Sequence, residues 1–426
     1  MTQPKLFELS IAYKKITKKP LTENGKKTFL NALSNLYKAL TNFLLQERIL
    51  EDSVEKDLLL MDILHKKGQF NEVNQIIKLR TAKIDHAKIA NIWHPLQRMQ
   101  LTHFAYFNHN YEEKIDNHSS QFLHLMTNLD AFYTSFKLFY SCEMMNRMHI
   151  IPENYEISLL LEVQAQLKPR VETTYPLVTF YAHCLALSQQ RTAETCISLQ
   201  AYLKTKTTIL SKSDQLMAYI LVANFMILQI REGKEKYRAQ LFDWYKTGFE
   251  AEVFIFAGTL DNLLFNNVVQ NACHQKAFDW ANHFIDQYSP LLTTANRDNL
   301  VRLCKANLYF AQAEYEKTID ALNKVTFTNV TYALRANGLL LRAYFELKEN
   351  KKLILDFCRN FKAFLKNDQP FGKATLANYH TLIKYIRLLL RERGQLSQQE
   401  LKQELALEDG QLFKPWLLKH ITKYKA

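Results

Sequence analysis

Apolar residues recur at intervals of three and four along almost the whole chain, which is the spacing of one face of an α-helix. The clearest face lies in the segment 29–44 and consists of Phe29, Leu30, Leu33, Leu36, Tyr37, Leu40, Phe43 and Leu44. Only 9 glycines and 9 prolines interrupt 426 residues, whereas an average chain has about 7% glycine and 5% proline. The sequence therefore predicts helices joined by short polar turns. It excludes β-sandwiches, barrels and Rossmann folds, which need many glycine-based turns.

The few turn-forming residues stand where the helical pattern breaks. Gly68 and Gly233, for example, occupy positions at which helices are expected to end. No linker or low-complexity segment divides the chain, so we expect a single elongated array rather than separate domains. The array is predicted to span 51–366, between basic N-terminal helices in 1–50 and basic C-terminal helices in 367–426 that cap its two ends.

One segment, Arg302–Val325, carries a recognisable repeat signature. Small, aromatic and apolar residues stand in a fixed register at Ala306, Tyr309, Ala313, Tyr315, Thr318, Leu322 and Val325. This register resembles the tetratricopeptide repeat, a helix-turn-helix unit of about 34 residues. The resemblance implies an all-α fold, a right-handed α-solenoid of antiparallel helix pairs with a concave surface that binds other proteins or peptides. The small residues are expected to let the two helices of a pair approach closely.

The same register recurs more weakly, with starts near residues 54, 262 and 334. The steps from 262 to 299 and from 299 to 334 are 37 and 35 residues, close to the length of one repeat. The stretch 129–152 departs from the register and predicts one long helix. It is similar to a segment of uncharacterised helical-repeat proteins of Bacteroidota, and that resemblance implies no activity.

Positive charge is concentrated at the two ends of the chain, whose net charge is +13. Residues 1–50 carry nine Lys and Arg against three Asp and Glu, and residues 351–426 carry fifteen against seven. Such ends are typical of charge that keeps a long helical array soluble, with attraction to an anionic partner as the alternative explanation. The candidate contacts for that partner, on or next to a helix predicted over 373–393, are Lys384, Arg387, Arg391 and Arg393.

The sequence contains no common catalytic or phosphate-binding motif, such as GxGxxG, GxxxxGK[ST], HExxH or GxSxG. The residues that best combine imidazoles and carboxylates for a metal or acid–base site are His109, Glu112, Glu113, Asp116, His118 and His124. Their spacing is that of an exposed polar loop, because no two histidines stand four residues apart. Cys273 and His274 are adjacent, and neighbouring residues on a helix point about 100° apart, which does not suit a nucleophile–base pair. We therefore expect no enzyme activity, no cofactor and no metal.

The remaining signals favour a cytoplasmic protein without a membrane span. Residues 1–19 contain no uninterrupted apolar segment of the kind that forms a signal peptide. The most apolar run, 216–230, is shorter than the roughly 20 residues that a spanning helix needs, so a buried helix is expected. No pair of the six cysteines has CxxC spacing, so they are expected to be free and buried in a reducing compartment.

Together these features predict a non-catalytic scaffold for protein–protein interaction, which binds a partner helix or peptide on the concave face of the helical array. A nucleic-acid-binding helical-repeat protein that uses the basic ends is the alternative, and its binding would weaken steeply with salt. An all-helical enzyme would require His109, Glu112, Glu113 and His118 to converge in one pocket.

Overall fold

The structure, a computed structural model, describes residues 9–107, 119–150, 154–167, 175–293, 297–323, 330–366, 371–390, 397–410 and 412–423. Within these residues the chain forms twenty α-helices and one two-stranded hairpin, so the predicted all-α class is confirmed. The chain groups into two compact units, Gln3–Val222 and Ala223–Ala426.

The first unit contains α1 (Leu9–Thr17), α2 (Glu23–Leu50), α3 (Val54–Lys66), α4 (Phe70–Asp85), α5 (His94–Phe107), α6 (Ser119–Ile150), α7 (Leu160–Gln166), α8 (Pro176–Gln190), α9 (Ala193–Lys206) and the start of α10 (Lys212–Arg231). Helices that follow each other in the chain pack together, as α3 does on α4 and α8 on α9. One core of this unit includes Met61, Val73 and Leu101, which lie on α3, α4 and α5. The long helix predicted over 129–152 is observed as part of α6, which ends at Ile150.

The second unit contains the rest of α10, then α11 (Lys236–Glu250), α12 (Asn262–His274), α13 (Phe278–Tyr288), α14 (Arg297–Ala311), α15 (Tyr315–Asn323), α16 (Val330–Glu346), α17 (Lys351–Lys366), α18 (Lys373–Leu389), α19 (Gln398–Leu407) and α20 (Lys414–Ile421). The contacts follow a regular scheme. α12, α14 and α16 each pack on the helix that follows directly and on the next helix but one. The first helices of successive pairs are therefore side by side.

A single type of turn joins the helices of five pairs. Gly68, Gly233, Lys276, Ala313 and Lys348 each adopt a left-handed backbone conformation, with φ between 55° and 85°. In every case the N–H of this residue bonds the carbonyl three residues back, and the next N–H bonds the carbonyl five residues back. This Schellman arrangement satisfies carbonyls that a helix end would otherwise leave unpaired. The last four turns are 43, 37 and 35 residues apart.

The described residues of the repeat signature lie on α14, on α15 and in the turn between them, and one expectation about them is wrong. Ala306, Thr318 and Leu322 are buried, and Tyr309 and Tyr315 are half-buried. Ala313, however, is exposed and has a φ of 64°, so it does not serve close helix packing as predicted. It lies in the turn, at the left-handed position that Gly68, Gly233, Lys276 and Lys348 occupy in the other pairs. Val325 lies outside the described residues.

α10 is, among the described residues, the one helix whose length and composition would allow it to cross a membrane. Half of its most apolar window is buried inside the protein. Core helices of soluble proteins have the same properties, so this finding gives weak support for a span. The six cysteines are all buried and free, in agreement with the sequence analysis.

The hairpin pairs Ile255–Phe256 with Thr259–Leu260 in antiparallel register and was not predicted. Ala257 and Gly258, the two residues between the strands, both have positive φ, which is the geometry of a tight hairpin turn. Two residues per strand are too few for the alternating pattern that identifies strands in a sequence.

Candidate partner-binding face

Five polar and aromatic residues lie on the first helices of four successive pairs in the second unit. We call this set the arginine face, and it consists of Asn266, Phe310, Arg335, Arg342 and Tyr379. These residues lie on α12, α14, α16 and α18, which pack side by side in this order. Arg335 and Arg342 are seven residues apart, about two helical turns, and therefore share one face of α16.

Asn266 brings an unsatisfied donor to this face. Its side chain is fully buried, and its Oδ1 accepts weak hydrogen bonds from Gln270 Nε2 at 3.4 Å and Cys304 Sγ at 3.9 Å. Its Nδ2 is buried without a hydrogen-bond partner among the described residues. A buried donor without an acceptor costs roughly 1–3 kcal/mol, so such a group is commonly paired with a ligand or an ordered water.

Arg335 supplies a second donor of this kind. Its Nη1 is buried and has no hydrogen-bond partner within the described part of the chain. Its positive charge acts on two neighbours, because it opposes the rise that burial causes in the pKa values of Cys304 and Tyr379. Arg335 is therefore close to residues of α14 and α18 as well as lying on α16. The face thus combines a fixed positive charge with free N–H groups.

Arg342 is held between two aromatic rings. Its guanidinium carbon lies 4.6 Å from the centre of the Phe310 ring and 5.1 Å from that of Phe413, and its Nε donates to the Gly338 carbonyl at 3.4 Å. Burial lowers the pKa of Arg342 to about 10, against the opposing effects of Tyr379 and Glu346. Arg342 is therefore still a cation at neutral pH, with a fixed orientation.

Tyr379 of α18 packs closely on Gly338 of α16. A Cβ atom on Gly338 would lie 2.7 Å from Cε1 of the Tyr379 ring, so glycine is needed for this approach. Burial raises the pKa of the Tyr379 hydroxyl, and the positive charges of Arg335 and Arg342 partly oppose this. The phenol is therefore neutral at physiological pH and belongs to the wall of the face.

The C-terminal helix α20 adjoins one end of this face. Glu346 Oε1 accepts hydrogen bonds from Trp416 Nε1 at 2.8 Å and from His420 Nε2 at 2.9 Å. Burial alone would raise the pKa of Glu346, but the hydrogen bonds from His420 and Trp416 outweigh it, and the pKa is lowered. Phe413, just before α20, packs on Tyr379 with ring centroids 5.3 Å apart.

The residues that the sequence analysis proposed for anion contact lie elsewhere. Lys384 Nζ is 2.6 Å from Glu408 Oε1 and 3.8 Å from Glu404 Oε2, so two carboxylates offset its charge. Arg387 is exposed on the same helix, α18. Arg391 and Arg393 lie outside the described residues. The structure therefore brings Lys384 and Arg387 onto one helix, without assembling them with the arginine face.

The sequence reasoning missed Asn266, Arg335 and Arg342. A signal was available, because Arg335 and Arg342 occupy the second and ninth positions of the repeat register that starts near 334. Because that register matches the tetratricopeptide repeat only weakly, its polar positions were not identified as binding residues. Asn266 has no such signal, since only the packing of α12 on α14 shows that it is buried.

The candidate metal site in 109–124 and the Cys273–His274 pair have less structural support than the arginine face. His109, Glu112, Glu113, Asp116 and His118 lie outside the described residues, and His124 is exposed on α6. Where side chains are described, no group of three or more His, Cys, Asp and Glu is arranged to hold a metal. Burial raises the pKa of Cys273 to about 12 and, with Arg238, lowers that of His274. Both shifts oppose a thiolate–imidazolium pair.

Comparison of the chain with protein-family models, with curated proteins and with solved structures finds no match.

Proposed function

We propose that the protein is a non-catalytic scaffold whose arginine face binds an acidic segment of a partner protein. The observation that carries this proposal is the pair of arginines on one face of α16, Arg342 between two aromatic rings and the half-buried Arg335, whose Nη1 has no hydrogen-bond partner among the described residues. A carboxylate supplies two acceptor oxygens and a negative charge, which is what these groups lack. Arginine presents its donors as a rigid fork that fits a carboxylate.

The proposal includes the architecture suggested by the repeat signature, a single right-handed α-solenoid of antiparallel helix pairs. The regular packing of α12, α14 and α16 and the repeated Schellman turns support it. In such an array the first helices of the pairs line one surface, so the arginine face would lie on the concave side. A cytoplasmic location is part of the proposal and is supported by six free, buried cysteines.

The test is a binding measurement with defined peptides. Fluorescein-labelled peptides that carry Asp and Glu are titrated with the full chain, beside matched peptides in which Asn and Gln replace the acids. We expect binding of the acidic peptides, weakened about tenfold or more by Arg335→Gln and by Arg342→Lys, because a lost hydrogen bond to a charged group is worth about 1.5–3 kcal/mol. Arg342→Lys keeps the charge and removes the planar fork.

Arg359→Ala is the matched control. Arg359 lies on α17, the second helix of its pair, and its side chain is 79% exposed. Its loss removes one positive charge without touching the arginine face. Equal affinity for acidic and amide peptides, or an Arg335→Gln variant that binds as tightly as the wild type, would rule out the proposal.

Nucleic-acid binding is the second candidate function. The specific observation in its favour is that Lys14, Lys15, Lys18 and Lys19 are all exposed at the N-terminal end of the described chain. Exchange of these four lysines for glutamine should then reduce the binding of single-stranded and duplex oligonucleotides and flatten its dependence on salt. Oligonucleotide binding that is absent at low salt would eliminate this candidate.

A further inference from the structure

The apolar face of α2 is exposed along most of its length. Leu36, Tyr37, Leu40, Phe43 and Leu44 have 64%, 71%, 51%, 53% and 54% of their surface exposed. They belong to the face that the helical spacing predicts, and at about 1.5 Å per residue the segment 29–44 is about 22 Å long. A soluble monomer rarely leaves so large a contiguous apolar surface uncovered.

The described residues of the rest of the first unit cover only the start of this face. Phe29 is buried and packs edge-to-face on Tyr13 of α1, with ring centroids 5.3 Å apart. α3 contacts α2 as well, and α3 follows the C-terminal end of α2 after a short turn. The central part from Leu36 to Leu44 is left exposed.

The spacing of the face is that of a helix that pairs with another helix. Phe29, Leu33, Leu36, Leu40 and Phe43 follow each other in steps of four, three, four and three, the a and d positions of a heptad. The flanking positions Leu30, Tyr37 and Leu44, seven residues apart, are apolar as well. This wider stripe is typical of helices that bury one side in a bundle.

The charges along this part of the chain differ between its two ends. Residues 14–38 contain seven lysines and one acid, Glu23. Residues 47–57 contain five acids and two basic residues. When two copies of α2 pair in antiparallel orientation with Leu36 of one copy opposite Leu40 of the other, Lys26 and Lys27 of each copy lie opposite residues 49–50, beside Glu47 and Glu51 of the other copy. A parallel pair would place like charges together, which is unfavourable.

A lipid surface fits these charges less well. Helices that lie in a membrane interface carry Lys and Arg along their polar face. The polar face of α2 carries Asn31, Ser34, Asn35, Asn42 and Gln46 with only two lysines, Lys27 and Lys38, and Glu47 and Glu51 at the end of the helix would be repelled by anionic lipids.

We infer that the protein self-associates through α2, which pairs with α2 of a second copy in antiparallel orientation. In this two-fold arrangement Leu36 of one copy faces Leu40 of the other, and Leu33 faces Phe43. The interface is self-complementary and does not involve the arginine face, so this inference is independent of the proposed function.

Sedimentation equilibrium of the full chain over a wide range of concentrations tests the inference. We expect a dimer, and we expect the double variant Leu36→Glu/Leu40→Glu to raise the dimer dissociation constant about thirtyfold or more, the effect of losing a central hot-spot side chain. Because both residues are exposed in the single chain, the variant should keep its helical circular dichroism. Leu45→Glu is the matched control, since Leu45 is 57% exposed on the opposite side of the same helix and should leave the dimer intact.

Disulfide trapping tests the orientation. Antiparallel pairing predicts that a mixture of Leu33→Cys and Phe43→Cys chains yields mainly mixed disulfides, and the six native cysteines are buried and give little background. Disulfides formed only between identical chains would overturn the antiparallel arrangement. A chain that is monomeric at all concentrations, or a dimer that the double variant leaves unchanged, would overturn self-association. A monomer that sediments with phosphatidylserine vesicles would assign the face to lipid instead.

Discussion

Trp416 donates its indole N–H to Glu346 across 2.8 Å, and this bond joins the end of α16 to the last described helix of the chain. The two residues are 70 positions apart in the sequence. His420 donates to the same carboxylate oxygen, one helical turn after Trp416. A single acceptor therefore holds α20 in place through two donors.

Glu346→Gln should loosen α20. The amide oxygen can still accept a hydrogen bond, but the loss of the negative charge weakens both contacts, and bonds to charged groups contribute about 1.5–3 kcal/mol. We expect the free energy of unfolding to fall by about 1–3 kcal/mol, with the largest loss of amide hydrogen-exchange protection in α20. Glu349→Gln is the control, because Glu349 is exposed in the turn after α16. Equal effects of the two variants would contradict this role of Glu346.

The same carboxylate predicts a dependence on pH. Its pKa is lowered from 4.5 in the folded protein. A group of this kind stabilises the fold fully above its unfolded pKa, and that stabilisation is lost as the pH falls through the lower folded value. Hydrogen-exchange protection of α20 should therefore decline below about pH 4.5. The Glu346→Gln variant should not show this additional decline, and an identical pH profile in both proteins would count against the prediction.

Gly338→Ala should be destabilising because of Tyr379. The added methyl would lie 2.7 Å from the Tyr379 ring, and overpacking of this kind costs about 1–3 kcal/mol. Thermal unfolding of the variant should shift to lower temperature. A second change, Tyr379→Leu, removes the ring, so the two substitutions together should cost less than the sum of the separate effects. Strict additivity would show that the two residues are not in close contact.

Ala313→Gly should stabilise the protein. Ala313 has a φ of 64°, a conformation that costs a residue with a Cβ roughly 1–2 kcal/mol more than it costs glycine. Part of this gain is offset because glycine loses more entropy on folding, so the expected net effect is about 0.5–1 kcal/mol. The control is Ala306→Gly, a buried position inside α14 where glycine should cost about 1 kcal/mol or more. If Ala313→Gly destabilised the protein as well, the turn would not explain the small residue.

The helix content could be predicted from the sequence because apolar spacing and the scarcity of glycine act locally. The predicted apolar face of α2 shows the limit of this reasoning. The spacing correctly identifies which residues share a face, but whether the face is buried depends on what packs against it, and in the single chain most of it is exposed. Burial is a property of the tertiary structure and is not encoded in the spacing of one helix.

The residues of the arginine face were harder to predict from the sequence, because their role also depends on the tertiary structure. Lys384 belongs to a visible cluster of charge, yet Glu408 lies only 24 residues further along and pairs with it. Arg335 and Arg342 lie in the segment 51–350, where basic and acidic residues nearly balance. The distribution of charge along the sequence therefore does not single them out as binding residues. Their role depends on the packing of α12 on α14, of α14 on α16 and of α16 on α18, which brings residues of neighbouring helices together.

The recurrent turn has a consequence for how such a chain changes in evolution. Glycine, alanine and lysine all occupy its left-handed position, and the hydrogen bonds that define it are formed by the backbone alone. Selection on this turn therefore acts on geometry with little demand for a particular side chain. Helix pairs can therefore have the same turn with different side chains, as the five turns of this chain show.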